Sequence, residues 1–325
     1  MPARVQVTEL AVPGGSAGDL ARDVVRGFAG CPRWLPPKYF YDPDGAHLFD
    51  AICETPEYYL TRAEQGLLEQ VAGPVVDAAG ADVLVELGSG AARKTRTLLD
   101  AMMRRGGPVT YVPVDISRDM LVAASTRLLD ELPGLRVHAL VADFDHHLHL
   151  LPRGGRRLIA FLGSSIGNFR QPRAIRFLAA LARGLEADDR LLIGYDLVKA
   201  PGVLHAAYND AAGITAEFNR NVLRVINREL GGDFEVAAFE HRADYLEERA
   251  QIEMYLVARG SQEVRLRRLD RRYRFAAGER IRTEISRKFV RADVDAMTAA
   301  AGLAVADWHV SADGAFALAV VGPAQ

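Results

Sequence analysis

The sequence predicts an α/β protein, with a seven-stranded, mostly parallel sheet wound by crossover helices and an inserted second domain of α+β type. Three observations predict it. Short apolar runs alternate with stretches of helical period between residues 61 and 197, as expected of strands buried on both faces and joined by helical crossovers. That rhythm breaks after Leu197 and resumes only at Ala292, where one helix and two further strands complete the chain. At about 150 residues per domain, 325 residues suit two domains.

Residues 1–30 carry Gly14, Gly15 and Gly18 without a strong period and read as an arm followed by a short helix. From Trp34 to Tyr59 seven aromatics fall in 26 residues, where 25 in 325 would give about two; such rings serve as ordinary core or as a binding wall. Residues 61–72 have helical period and run into Gly73-Pro74, a stop signal. Residues 82–87 (DVLVEL) form a first strand closed by Gly88-Ser89-Gly90, with a helix over 94–103 behind it. The unit repeats as a strand at 110–115, a helix at 118–132 and a strand at 136–143, then a strand at 158–162, a helix at 173–185 and a strand at 190–197. Residues 206–230 read as helical, and 234–290 as charge-rich alternating strands such as EVRLRRLDRRYRF, the pattern of an antiparallel sheet with one wet face. A helix at 292–301 and strands at 305–310 and 316–321 then add an antiparallel hairpin to the first sheet.

Composition excludes several classes. The 40 basic and 42 acidic residues leave a net charge of −2, so no global field gathers the chain onto phosphate backbones or anionic lipid. No apolar run approaches the roughly 20 residues of a membrane helix, and Glu9 interrupts the N-terminus where a signal peptide would be apolar. A cytoplasmic protein is expected. Cys31 and Cys53 have no metal-type spacing, and neither a disulfide framework nor a cysteine zinc site is expected.

The loop after the first strand carries the chemistry. A Gly-X-Gly turn at a helix start lets backbone amides approach a ligand closely, and Gly88-Ser89-Gly90 has that form, although a plain tight turn has it too. Arg93 stands where a dinucleotide fingerprint would place its third glycine, which argues against pyrophosphate. Asp115 closes the second strand, where a carboxylate can accept both ribose hydroxyls or cap the next helix, and Asp143-Phe144 closes the third, where an acid and a ring suit an adenine. An adenosine site without phosphates points to S-adenosylmethionine (SAM), and seven strands with a terminal hairpin look like the Rossmann-like class I methyltransferase fold. Fold alone leaves the substrate open.

Longer blocks narrow it. YFYDPDGAHLFDAICETPEYYLTRAE (39–64), ELGSGAARKTRTLLDA (86–101), YVPVDIS (111–117), FLGSSIGNF (161–169), AAYNDAAGITAEFNRNVLRVINREL (206–230) and QIEMYL (251–256) resemble the L-histidine Nα-methyltransferases of ergothioneine biosynthesis, the EgtD family. The resemblance runs from about residue 35 to the end. It implies a SAM-binding domain over 62–198 and 289–325 and a substrate-binding domain over 10–61 and 199–288. The cofactor positions it implies are Gly88, Lys94, Asp115, Asp143 and Phe144; Lys94, one of four lysines in the chain, would pair with the methionyl carboxylate of SAM, and otherwise reads as a solvated lysine at a helix start. The substrate positions it implies are Tyr41, Phe49, Tyr58, Gly163, Asn168, Tyr208, Met254, Glu284 and Ser286. Asn168 and Tyr208 would address the α-carboxylate, and Glu284 and Ser286, two apart on a strand, the two imidazole nitrogens. By spacing alone Arg282, Glu284, Ser286 and Lys288 read as one polar, exposed strand face, and Met254 as core.

The implied activity is trimethylation of the α-amine of L-histidine to hercynine, with no metal, no nucleic acid, no membrane and a monomeric chain. Catalysis is expected to rest on alignment, with Tyr41 and Gly163 near the reacting amine and no residue acting as a strong base. His146, His147 and His149 are read as a polar loop, and Asn209, Asp210 and Glu217 as helix surface. Rival readings are a methyltransferase for another amino acid or small amine, and a cofactor-binding regulator with a dead site. A nucleic-acid methyltransferase is disfavoured by the balanced charge and by the lack of an Asp-Pro-Pro-Tyr motif.

Overall fold

The computed structural model describes residues 5–10 and 15–324. Among them the strands in chain order are β1 (Gln6–Glu9), β2 (Arg33–Trp34), β3 (Val83–Leu87), β4 (Val109–Asp115), β5 (Leu135–Val141), β6 (Arg157–Phe161), β7 (Arg190–Asp196), β8 (Phe239–Leu246), β9 (Gln251–Ala258), β10 (Gln262–Leu266), β11 (Arg271–Phe275), β12 (Arg280–Arg287), β13 (Leu303–Val310) and β14 (Phe316–Pro323). The helices are α1 (Gly15–Phe28), α2 (Pro43–Cys53), α3 (Leu60–Ala79), α4 (Thr95–Arg105), α5 (Arg118–Glu131), α6 (Phe144–His147), α7 (Gln171–Ala182), α8 (Pro201–Tyr208), α9 (Ile214–Leu230) and α10 (Arg291–Ala300). The chain divides into two compact units, Met1–Val12 with Leu60–Val198 and Lys288–Gln325, and Pro13–Tyr59 with Lys199–Arg287.

The first unit holds a sheet of order β1-β5-β4-β3-β6-β7-β14-β13, parallel from β1 to β7 and antiparallel across β14 and β13. All seven expected strands are present, and β1 adds an eighth at the edge beside β5. The N-terminal arm expected there lies partly outside the described residues. Alternate residues of each strand feed opposite faces. Leu84, Tyr111, Leu158 and Leu192 pack on one side with Leu67, Leu68, Leu98 and Leu128, while Val85, Val112, Ile159 and Ile193 pack on the other with Ala174, Leu178, Val294 and Met297. Burial on both faces is why these strands are continuous apolar runs. The chain winds from β3 through β4 to β5, then returns to lie as β6 on the other side of β3. In an open sheet the carboxyl ends at such a reversal form the ligand crevice.

The helix expected to stop at Gly73-Pro74 runs on as α3 to Ala79. Proline inside a helix costs about 3 kcal/mol, but Val75, Val76 and Ala79 beyond it are buried, and two valines alone return about that much or more. Pro74 and Gln70, whose carbonyl loses its partner, are both exposed residues, which leaves that carbonyl to water. The polar loop expected at the histidines is instead the helical turn α6 followed by a 3₁₀ turn at Leu148–Leu150.

The second unit contains a four-stranded sheet of order β2-β12-β9-β8 and the separate hairpin β10-β11. The hairpin matches its sequence pattern, with Val264 and Leu266 buried and their neighbours wet. The single helix expected over 206–230 is two, α8 and α9. Asp210 makes the break: its carboxylate accepts the N–H groups of Ile214 and Thr215 at 2.8 Å each, and Gly213 takes φ +70° ahead of the new helix. Competition of an Asp side chain for helix-start amides ends one helix and begins the next.

Candidate active site

In the first unit the expected cofactor residues gather at the carboxyl ends of β3, β4 and β5. The chain leaves β3 through Gly88 at φ +71° and Gly90 at φ +48°, conformations that favour glycine. The Gly90 N–H donates to Asp115 Oδ2 at 3.0 Å and the Ser117 N–H to Asp115 Oδ1 at 3.0 Å. Asp115 therefore braces the glycine turn and the Ser117 amide ahead of α5, and each oxygen keeps further lone pairs. Burial raises its pKa, against the pull of the Ser117, Gly90 and Ile116 amides. A side chain at Gly88 would begin 3.8 Å from the edge of the Phe144 ring, so this ring and the bare glycine backbone face each other across one contact layer. Paired hydroxyl acceptors on Asp115 and a flat wall at Phe144 fit an adenosine-bearing ligand. The Asp143 N–H donates to His147 Nδ1 at 3.2 Å, so that histidine serves the turn carrying Asp143.

Beneath the loop lies Glu86, buried in β3, which accepts hydrogen bonds from Thr95 Oγ1 and the Tyr111 hydroxyl. Burial pushes its carboxyl up to about 7, although both hydrogen bonds and the Lys94 charge pull it down. A folded-state value above the unfolded one means that the protonated form is favoured by folding, so this contribution to stability is complete below about pH 4.5 and lost as pH rises through about 7. Glu86→Gln keeps the acceptor without the charge. Between pH 5 and pH 8 it is expected to gain roughly 3 kcal/mol relative to the parent, read from urea midpoints at the two pH values. Parallel pH profiles would show that Glu86 is not the group responsible.

After β6 the chain turns at Gly163, φ +73°, into the 3₁₀ turn Ser165–Asn168, which places Asn168, partly accessible, at its end. The Gly163 N–H is already committed, donating to both oxygens of Glu64 at 2.7 and 3.0 Å. Gly163 thus has its carbonyl, an acceptor, to offer an amine. Glu64 also pairs with the Lys94 ammonium.

In the second unit the expected substrate residues form one aromatic and polar cluster. Asp42 caps α2 by accepting the Gly45 N–H at 2.9 Å, and a Cβ at Gly45 would stand 1.6 Å from the Phe40 carbonyl oxygen. Only glycine allows that approach, which locks α2 against the turn leading to Tyr41. Tyr41 and Phe49 then meet edge to face at 5.5 Å, Phe49 and Tyr58 at 6.1 Å, and Tyr58 and Tyr208 at 6.4 Å. Phe218 of α9, which the sequence did not single out, packs on both Tyr41 and Phe49 at 5.5 and 5.8 Å. The Tyr208 hydroxyl donates to Ser286 Oγ at 2.8 Å. Expected as a carboxylate donor, Tyr208 here spends its proton on Ser286, which leaves the Ser286 proton to be given elsewhere. Glu284 lies opposite Met254 across the β12–β9 ladder, after a bulge between Arg282 and Glu284. The Tyr58 phenol is raised well above its usual value, by burial first and then by Tyr208, Cys53, Tyr41 and Glu284; it stays a donor.

The single exposed face that spacing suggested does not form: the bulge pairs Arg282 with Tyr255 but Glu284 with the adjacent Met254, so Glu284 and Ser286 turn to the opposite side from Arg282. Ser286 and Lys288 are buried, Arg282 and Glu284 partly so, and Met254 is buried beside them. A polar network missed by sequence reasoning underlies this cluster. Thr283 Oγ1 donates to Asn219 Oδ1 at 2.6 Å, the Asn219 amide donates to His241 Nδ1 at 2.8 Å and to the Tyr255 carbonyl at 2.9 Å, and His241 Nε2–H donates to the Tyr208 carbonyl at 2.9 Å. Burial lowers the His241 pKa, which favours the neutral ring that this bonding requires. The bulge bearing Glu284 is thereby tied to the helix end bearing Tyr208. The signal in the sequence was Asn219, a polar residue among the buried apolar positions Phe218, Val222 and Ile226 of α9. Of the residues read as helix surface, Glu217 lies on α9 and pairs with Arg220 and Arg224, whereas Asn209 and Asp210 lie between α8 and α9, Asn209 bonding the His205 and Ala243 carbonyls and buried Asp210 capping α9.

Comparison with known proteins agrees with this chemistry. The histidine N-alpha-methyltransferase of Mycobacterium tuberculosis is 48% identical over 309 residues, covering 94% of this chain and 96% of that protein. The protein of the same name from Mycolicibacterium smegmatis is 47% identical over 305 residues, covering 94% and 95%. Ergothioneine biosynthesis protein 1 of Neurospora crassa is 36% identical over 209 residues, which are 62% of this chain and 23% of that longer protein. A family model described as histidine-specific methyltransferase, SAM-dependent, matches residues 20–323, and the chain belongs to that family.

Proposed function

We propose that the protein transfers three methyl groups in turn from SAM to the α-amine of L-histidine, giving hercynine for ergothioneine biosynthesis. The observation that carries this reading is the cluster of the second unit. Glu284 as acceptor and Ser286 as donor sit two apart on one strand, among rings suited to a flat side chain and to a growing ammonium. A neutral imidazole has one N–H and one bare nitrogen, and this pair answers both.

SAM, when bound, supplies an electrophilic methyl group on a sulfonium. Gly88, Asp115, Asp143 and Phe144 would hold its adenosine and Lys94 its carboxylate. The chain's own task is then alignment. Asn168 in the first unit and Tyr208 in the second each carry a donor suited to an α-carboxylate, and Tyr208 would exchange its bond to Ser286 to offer it. Glu284 and Ser286 fix the ring, which leaves the amine as the free end of a molecule held at its other two. The nitrogen must arrive as a neutral amine; the Gly163 carbonyl accepts one of its N–H bonds and the released proton passes to water. Tyr41 and Phe49 present ring faces to the cationic product, so added methyls remain tolerated.

Mass spectrometry of L-histidine incubated with the protein and SAM is expected to show gains of one, two and three methyl groups. No gain with histidine, together with methylation of another amino acid from a substrate panel, would transfer the assignment to that acceptor. No product with any amine would favour a dead site.

A further inference from the structure

We propose that Glu64 is a positioning residue that pre-sets Lys94 for the carboxylate of the cofactor while holding the Gly163 peptide in place, an inference that rests on the reading of Lys94 as a cofactor contact. Glu64 lies on α3, remote in sequence from every expected site residue of its unit, yet its side chain is 0% exposed. Three segments converge on its carboxylate. Lys94, at the start of α4, pairs with Oε2. The Gly163 N–H reaches both oxygens. Gly194 of β7 leaves the space: a Cβ there would stand 2.4 Å from Oε1. Lys94 in turn lies beside Gly163, where a Cβ would be 3.6 Å from Nζ.

A carboxylate this deep survives only when paired and hydrogen-bonded, because several kcal/mol of hydration must be replaced. The arrangement does more than satisfy it. Lys94 remains 23% exposed, and an ammonium has three donors, so a cation already fixed by Glu64 still has donors to give a ligand. Free lysine would lose about 2 kcal/mol of rotamer freedom on being fixed; Glu64 meets that cost before the ligand arrives. The negative charge also offsets Lys94, which suits a ligand carrying a carboxylate at one end and a sulfonium near it.

The test measures binding of S-adenosylhomocysteine by calorimetry with no methyl acceptor present, followed by steady-state kinetics. Glu64→Gln retains an oxygen for the Gly163 N–H and loses the charge that fixes Lys94; it is expected to raise the dissociation constant about 10- to 100-fold and leave the KM of the acceptor within about threefold. Glu64→Ala loses both partners and is expected to raise both quantities. Lys94→Met should weaken binding at least as much as E64Q does, and the double variant E64Q/K94M no further than K94M, because Glu64 acts through Lys94. Parental affinity in folded E64Q, or additive losses in the double variant, would overturn the proposal. Should E64Q not fold, Gly194→Ala displaces the carboxylate with both charges kept, and at least about tenfold weaker binding is expected; unchanged affinity there overturns it equally. Because no acceptor is present in the binding step, failure here leaves the histidine assignment standing, and failure of that assignment leaves this result readable.

Discussion

Glu284→Ala is expected to lower kcat/KM for L-histidine by about 10²- to 10³-fold, the cost of about 3–4 kcal/mol for removing a charged acceptor and stranding its donor, while S-adenosylhomocysteine affinity stays within about twofold. The greater effect falls on selection. Glu284 sits after the β12 bulge, opposite buried Met254 and electrostatically coupled to Tyr58. Its loss leaves an aromatic slot with Ser286 as the polar contact on that strand. Aromatic amino acids without a ring N–H then lose the penalty of facing an unpaired carboxylate, and the ratio of kcat/KM for histidine over phenylalanine is expected to fall by more than tenfold. Glu284→Gln, which keeps an acceptor of the same reach without charge, should fall between parent and alanine variant. An unchanged preference in E284A would remove Glu284 from imidazole recognition.

The parts of the fold that were legible are those in which local pattern and tertiary burial agree. Strands β3, β4, β6 and β7 are buried on both faces and read as apolar runs; the Gly88–Gly90 turn announces itself because its positive φ values demand glycine. Where tertiary contacts override local signals, reading fails. Pro74 signals a stop, but the buried valines behind it carry α3 onward. β1 is four residues at a sheet edge, held by its ladder to β5 and by a bond between Thr8 and His138 at 2.9 Å, neither visible locally. Asp210 and Gly213 did mark the break between α8 and α9, but the apolar period on either side masked it. The site divides the same way. Glycines and aromatics were visible as types, whereas Glu64 looks like any helix carboxylate until Gly163 and Gly194 are brought beside it. Likewise Arg282, Glu284 and Ser286 read as one exposed face because alternation assumes an unbroken strand, whereas the bulge after Arg282 turns Glu284 and Ser286 to the other side.

Just past the end of β12 stands the residue whose loss should cost the fold most. Lys288→Met is expected to destabilise the protein by about 3–5 kcal/mol, the penalty for stranding a buried charge. Lys288 Nζ lies 2.7 Å from Asp196 Oδ2, and both side chains are 0% exposed. Asp196 ends β7, its N–H donates to Ser164 Oγ at 2.9 Å, and its carbonyl accepts the Phe289 N–H at 2.9 Å. The chain leaves this unit after Val198 and re-enters at Lys288, so the pair ties together the two ends of the insertion at the strand that continues into the sheet. Apolar replacement of a whole buried pair is often neutral, whereas removal of one member is not. Asp196→Asn combined with K288M is therefore expected to recover more than half of the loss, with urea midpoints compared at constant m-value. If K288M alone unfolds at the parental midpoint, the pair contributes nothing to holding the ends of the insertion. If the double variant is as unstable as the single one, the cost comes from lost packing of the lysine stem, and the charge of Asp196 is not its cause.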